Sequence, residues 1–99
     1  MLRHVVMMRW RAGTPPEVVE RLGEELAALH ARTPTLLDYR YGPDVGLVDG
    51  NWDYVVVADF ATDADYVAFR DDLDHREMIE RAIAPHRADR AAVQLRLPD

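Results

Sequence analysis

A chain of 99 residues with a net charge of −6 and 48% hydrophobic content has room for one core-bearing domain, expected to span residues 1–99. The charge disfavours nucleic acid, anionic membrane surfaces and acidic partners, and no apolar run is long enough for a membrane span. Cysteine and serine are both absent, which excludes a disulfide framework, a thiolate metal site and a thiol or serine nucleophile.

Arg3, His4 and Arg9 interrupt any signal-like apolar run, so the expected location is the cytoplasm. Leu2 to Trp10 reads as a strand with His4, Val6, Met8 and Trp10 on one face and Val5, Met7 and Arg9 on the other. Thr14-Pro15-Pro16-Glu17 reads as a capping box with Thr14 as N-cap and Pro15 at the first helical position. Val18, Leu22, Leu26 and Leu29 continue it as an amphipathic stripe, and Thr33-Pro34 ends the helix near Arg32.

Leu36 to Tyr41 is the next strand, with Leu37, Tyr39 and Tyr41 opposed to Leu36, Asp38 and Arg40, a mixed polarity that suits a sheet edge. Turn signals fill Gly42 to Asn51, a loop able to lie over a pocket mouth. Trp52 to Phe60 is a further strand. Thr62 with Asp65 opens a second helix, and Asp74 with Glu77 starts a short one carrying Met78, Ile79, Ala82 and Ile83 until Pro85. Ala91 to Leu97 closes the chain as a strand with Ala91, Val93, Leu95 and Leu97 on its apolar face.

The segment from Trp52 to Phe60 is apolar on both sides: Trp52, Tyr54, Val56, Ala58 and Phe60 share one face, and Val55 and Val57 sit between Asp53 and Asp59 on the other. The chain has helices for only one sheet face. Val5, Met7, Val55 and Val57 argue that the second face meets another copy of the chain, giving a homodimer through the helix-free side. The element order and right-handed crossovers predict an α+β, ferredoxin-like βαββαβ fold with a four-stranded antiparallel sheet.

The segments RHVVMMRW, YVVVADF and DHREMIERAIAPHRADR, with the helix after Gly-Thr-Pro, resemble the stress-responsive dimeric α/β barrel (A/B barrel) domain over the whole chain. The matching positions are His4 in the first strand, Asp74-His75 with Met78 and Ile79, and Pro85 before Asp89-Arg90. The resemblance implies a face-to-face dimer. It is similar in arrangement to olivetolic acid cyclase-type polyketide cyclases, which implies cofactor-free aldol closure in a cleft between sheet and helices, with His75 as base. Phe69 stands where that pattern has a tyrosine, and Tyr66 lies one turn earlier. His4 matches a cleft histidine, and Tyr54 stands at the position of another.

His75 is the candidate general base, because a neutral imidazole can take a carbon-bound proton next to a carbonyl near neutral pH. Its bland alternative is a helix-start histidine bonded to backbone. His4 is the second candidate, against a satisfied core histidine, and Tyr54 and Tyr66 are candidate hydroxyl donors, against ordinary aromatic packing. Val6, Met8, Trp10, Val56, Phe69 and Met78 are the expected apolar lining for a small carbonyl-bearing or aromatic ligand. His30 and His86 read as helix-end histidines facing solvent. No metal ligand set or phosphate loop is present in the pattern, and no cofactor is implied. The competing readings are a non-catalytic, stress-associated structural dimer and a cofactor-free monooxygenase on the same fold.

Overall fold

The computed structural model describes residues 1–98; Asp99, the last residue of the expected domain, lies outside the described residues. Strand β1 (Leu2–Trp10) leads to helix α1 (Pro16–Ala31) and strands β2 (Leu36–Pro43) and β3 (Tyr54–Phe60). Helices α2 (Asp63–Asp71) and α3 (Leu73–Met78) follow, α3 running on into a π-helical turn (Ile79–Ile83), and β4 (Arg87–Arg96) closes the sheet. The strand order β2-β3-β1-β4 is antiparallel at every pairing, which is the ferredoxin-like arrangement. No helix is long and apolar enough to cross a membrane among the described residues.

Two helix starts differ from expectation. Pro15 is itself followed by a proline, which bars it from helical backbone; at φ −67° and ψ 147° it is the N-cap, and the helix starts at Pro16. Thr14 does not cap. Its hydroxyl donates to the Arg11 carbonyl at 2.7 Å instead. At α3 the cap is Asp72 rather than Asp74: its carboxylate accepts from the His75 backbone N–H at 3.0 Å. Thr62 caps α2 through the Asp65 N–H, as the sequence predicts.

The helices cover one face only. Met8, Tyr54, Val56, Ala58 and Phe60 point into the core with Leu22, Leu26 and Leu29 of α1, Phe69 of α2 and Met78 of α3. A register shift between Leu36 and Asp38 breaks the predicted alternation of β2, so Leu36 is 3% exposed and Leu37 51%. A bulge moves every following side chain by one face.

The helix-free face carries Val5 and Met7 of β1 opposite Val57 and Val55 of β3, with Val93 and Ala91 of β4 on the other flank. Val93 is 58% exposed and Leu95 44%. The apolar face of β4 is thus turned away from the helices, and its polar alternates Gln94 and Arg96 lie on the covered side. Arg3 and Asp59 pair across this face at 2.8 and 2.9 Å, and the guanidinium holds the Asp59 carboxyl below the usual range. Trp52 precedes β3 and departs from the predicted face: its ring lies under the Arg9 guanidinium at 4.4 Å and borders a groove with Met7 and Val55. Asp44, Gly50 and Asn51 line the same groove, so the β2–β3 loop flanks the open side of the sheet, not the cavity described next.

Candidate functional site

A cavity of about 230 Å³ lies between the covered sheet face and the α2–α3 segment. Val6, Met8, Val56 and Ala58 form its floor, and Tyr66, Phe69, Met78 and Ile79 close it from the helices. His4 and His75 both border it, from opposite layers. The π-helical turn beside them carries the Ala84 N–H to Ile79 carbonyl bond of 2.8 Å, an irregularity that recurs at functional sites because it widens a helix locally.

His75 is held at three points. Its backbone N–H is spent on Asp72, its ring stacks on Phe69 with centroids 4.1 Å apart, and its Nδ1 lies 3.0 Å from the Phe69 carbonyl. A carbonyl can only accept, so Nδ1 carries the proton and Nε2 carries the lone pair. Burial lowers the His75 pKa, with the carbonyl bond opposing part of that effect. The ring is therefore a neutral acceptor at neutral pH.

His4 has the opposite arrangement. The Gln94 amide nitrogen lies 2.8 Å from Nδ1 and donates to it, which places the His4 proton on Nε2. Burial, followed by the charge of Arg90 and by that of His75 once acid protonates it, lowers its pKa to about 4. His4 is 8% exposed, and its ring packs on Tyr66 at 4.9 Å between centroids. No buried side-chain polar atom lacks a hydrogen-bond partner among the described residues. The free Nε2 atoms of both imidazoles, which bond to no protein group, are therefore accessible ones.

Tyr54 and Trp10 do not line this cavity. They pack on each other at 5.8 Å toward the other end of the sheet, where Tyr54 faces Val19 and Pro43 instead. Burial pushes the Tyr54 phenol up to about 12, so it stays protonated in an apolar setting. The covered face is longer than the cavity, and at its Tyr54 end a separate groove runs between Tyr54 and the start of α1 at Pro16, Val19 and Gly23. His30 is also not free in solvent: it is half-buried with its ring edge on Tyr39 at 5.8 Å. His86 is half-buried, its backbone spent on Ile83 and Arg11. Among the described residues no three His, Cys, Asp or Glu side chains are grouped to hold a metal ion.

Sequence reasoning missed Gln94, Tyr39 and the charged margin of Arg70, Arg76, Arg87, Arg90 and Glu80. Gln94 lies opposite the apolar face of its strand, and hydropathy alone gives no sign that this polar side is the one the helices cover. Tyr39 sits on an edge strand whose mixed pattern gave no inward face, although its alternation with Tyr41 is the signal that could have found it.

The family model of the stress responsive A/B barrel domain matches residues 2–96 of this chain. The chain belongs to that family. Similar proteins of known structure include a dimeric ferredoxin-like protein of unknown function from Thermobifida fusca, 41% identical, at a TM-score of 0.89 over 97% of this chain and 90% of that one. A hydroxynitrile lyase from Passiflora edulis is 15% identical, at a TM-score of 0.84 over 99% and 94% of the two chains. An antibiotic biosynthesis monooxygenase is 16% identical, at a TM-score of 0.76 with each chain fully covered. The last two share the fold with this A/B barrel chain. No curated protein matches it.

Proposed function

We propose that the protein is a homodimer whose cavities each bind a small, mostly apolar ligand bearing a carbonyl, and that His75 and His4 act on it as base and hydrogen-bond donor. The observation that carries this reading is the pair of opposite tautomers, a lone pair on Nε2 of His75 and a proton on Nε2 of His4, in two histidines that border one apolar cavity. His75 takes the proton from the carbon next to the ligand carbonyl. The C–H electron pair becomes an enolate, whose oxygen accepts from His4. In an aldol closure the enolate carbon adds to a second carbonyl of the same ligand, and the proton on His75 passes to the new alkoxide. No cofactor enters the balance.

Tyr66 packs against His4 and Phe60 and serves as a second donor from the roof, while Val6, Met8, Val56, Phe69 and Met78 bury the ligand body. The open cavity counts against the purely structural dimer, which fills its cleft with its own side chains. The dimer is supported by the helix-free apolar face, on which Val93 is exposed and Val5, Met7, Val55 and Val57 are half-buried, and by the Thermobifida fusca relative being dimeric. The fold itself selects no reaction, since it also carries a lyase and a monooxygenase.

The test is deuterium incorporation from heavy water into phenylacetone, followed by NMR. Wild-type protein accelerates exchange, and His75→Ala, with an unchanged circular dichroism spectrum, loses about 100-fold or more of the acceleration. Equal rates for the two proteins exclude His75 as the base, and oxygen consumption with an electron-rich phenol would favour the monooxygenase reading instead.

A further inference from the structure

All twelve basic residues of this chain are arginines, and their partners are unevenly shared. Arg3, Arg32, Arg40, Arg70, Arg81 and Arg96 are in ion pairs. Arg9 covers the Trp52 ring, and Arg11 donates to the Arg87 carbonyl at 3.3 Å. Arg21, Arg76, Arg87 and Arg90 remain without an ion pair among the described residues, and three of those four border the cavity. In an acidic protein a cluster of uncompensated guanidiniums over an apolar hollow runs against the overall charge. Glu80 lines that margin, and the other carboxylates beside it are already engaged, Asp71 with the Arg70 guanidinium, Asp72 with the His75 backbone N–H and Asp89 with the Arg90 backbone N–H.

The positions are fixed by different elements. Arg90 stands opposite Met8 and Arg87 opposite Trp10 in the β1–β4 register, so both sit on the covered side of the sheet. Arg76 follows His75 directly on α3. Guanidinium is a planar fork that matches a carboxylate with two parallel hydrogen bonds. The cavity volume of about 230 Å³ falls below the roughly 300–1,000 Å³ of drug-sized sites, which limits the buried body to about a single ring.

We propose that the ligand is a small keto acid, its carboxylate held at the mouth by Arg87 and Arg90 with Arg76 across from them, and its ketone and single-ring body inside against His4 and His75. This rests on the cavity reading above and narrows it to one substrate class. A monoanion fits better than a phosphate dianion, because Glu80 stands on the same margin and repels the second charge more strongly.

The experiment is calorimetric or NMR titration of the full chain with phenylpyruvate and 3-phenylpropanoate, each against its primary amide, and with phenyl phosphate. The acids are expected to bind about tenfold tighter than the amides, with only the acids weakened by added salt. Arg87→Gln and Arg90→Gln each lower acid affinity about tenfold and leave amide affinity unchanged, while Arg21→Gln changes neither. Acid and amide binding alike overturns the carboxylate assignment and leaves the occupied cavity standing. Binding of neither removes the cavity reading as well. Tighter binding of phenyl phosphate, or an equal loss in Arg21→Gln, overturns the carboxylate pocket.

Discussion

Phe69 holds His75 through two different parts of itself: the ring stacks on the imidazole at 4.1 Å, and the carbonyl receives the Nδ1 proton at 3.0 Å. Backbone and side chain of one residue thus set both the tilt and the tautomer of the imidazole. Side-chain ¹⁵N NMR at pH 7 is expected to report His75 protonated on Nδ1 and His4 on Nε2. Phe69→Ala removes only the stacking contact and a buried ring. It should destabilise the fold by about 3–5 kcal/mol, measured by urea unfolding, while the Nδ1 signature of His75 survives because the carbonyl remains.

His4 makes the fold acid-sensitive. Its folded pKa is lowered to about 4, so between that value and the ordinary histidine pKa of about 6.5 the unfolded chain binds more protons than the native one. Stability is therefore fully present above pH 6.5 and falls as pH drops toward 4, by about 3 kcal/mol from this group alone. His75 contributes in the same direction, since its pKa is also lowered by burial. Urea midpoints measured from pH 7 to pH 4 should fall less steeply in His4→Phe than in wild type. Parallel curves for the two proteins would exclude His4 as a source of the slope.

Gln94 fixes the tautomer of His4 by donating to Nδ1 at 2.8 Å. In Gln94→Leu that acceptor has no donor, and either ring nitrogen can carry the proton. The ¹⁵N spectrum of His4 is then expected to show a mixture of tautomers. The phenylacetone exchange rate should fall about tenfold, the typical cost of losing one positioned hydrogen bond. Gln94→Glu, whose carboxylate can only accept when ionised, should invert the preference by drawing the proton to Nδ1.

The layering of the fold was readable because it rests on periodicity. Alternation placed Met8, Val56 and Ala58 inward and Val5, Met7, Val55 and Val57 outward, and the four-residue spacing from Leu22 to Leu29 placed α1 over the sheet. The misreadings sit where a local event interrupts the period. The register shift after Leu36 exchanged it with Leu37, Trp52 lies outside the strand that was to carry it, and consecutive prolines delayed α1 by one residue. The Asp74–Glu77 spacing pointed to Asp74 as the cap of α3, but the helix starts at Leu73 and Asp72 caps it.

The site was legible to the extent that its members share an inward-facing pattern. His4, Val6, Met8, Val56, Tyr66, Phe69, His75 and Met78 all border the cavity, but Tyr54 and Trp10 share the face of its floor residues without reaching it, because they lie toward the other end of the sheet. Gln94 could not be found by hydropathy. Its strand exposes the apolar side, an inversion that makes sense once the helix-free face is itself a surface to be buried.

That inversion leads to a prediction about assembly. Val57 lies at the middle of the helix-free face, between Val5 of β1 and Arg40 of β2 in register, and Val93 flanks Val5 on the other side. Burying this face against a second copy removes Val93 and Leu95 from water, whereas a carboxylate at position 57 is desolvated there, and the neighbouring Arg40 is already paired with Asp38 at 2.9 Å. Val57→Glu is expected to weaken the dimer by about 3 kcal/mol or more, two powers of ten in dissociation constant, and to give a one-chain mass in light scattering at micromolar concentration. Val93→Glu should act in the same direction. Val67→Glu, which alters an exposed valine on α2, should leave the mass unchanged. A wild-type protein that is already a single chain at that concentration, or a Val57→Glu dimer as tight as wild type, would mean that some other surface covers the sheet.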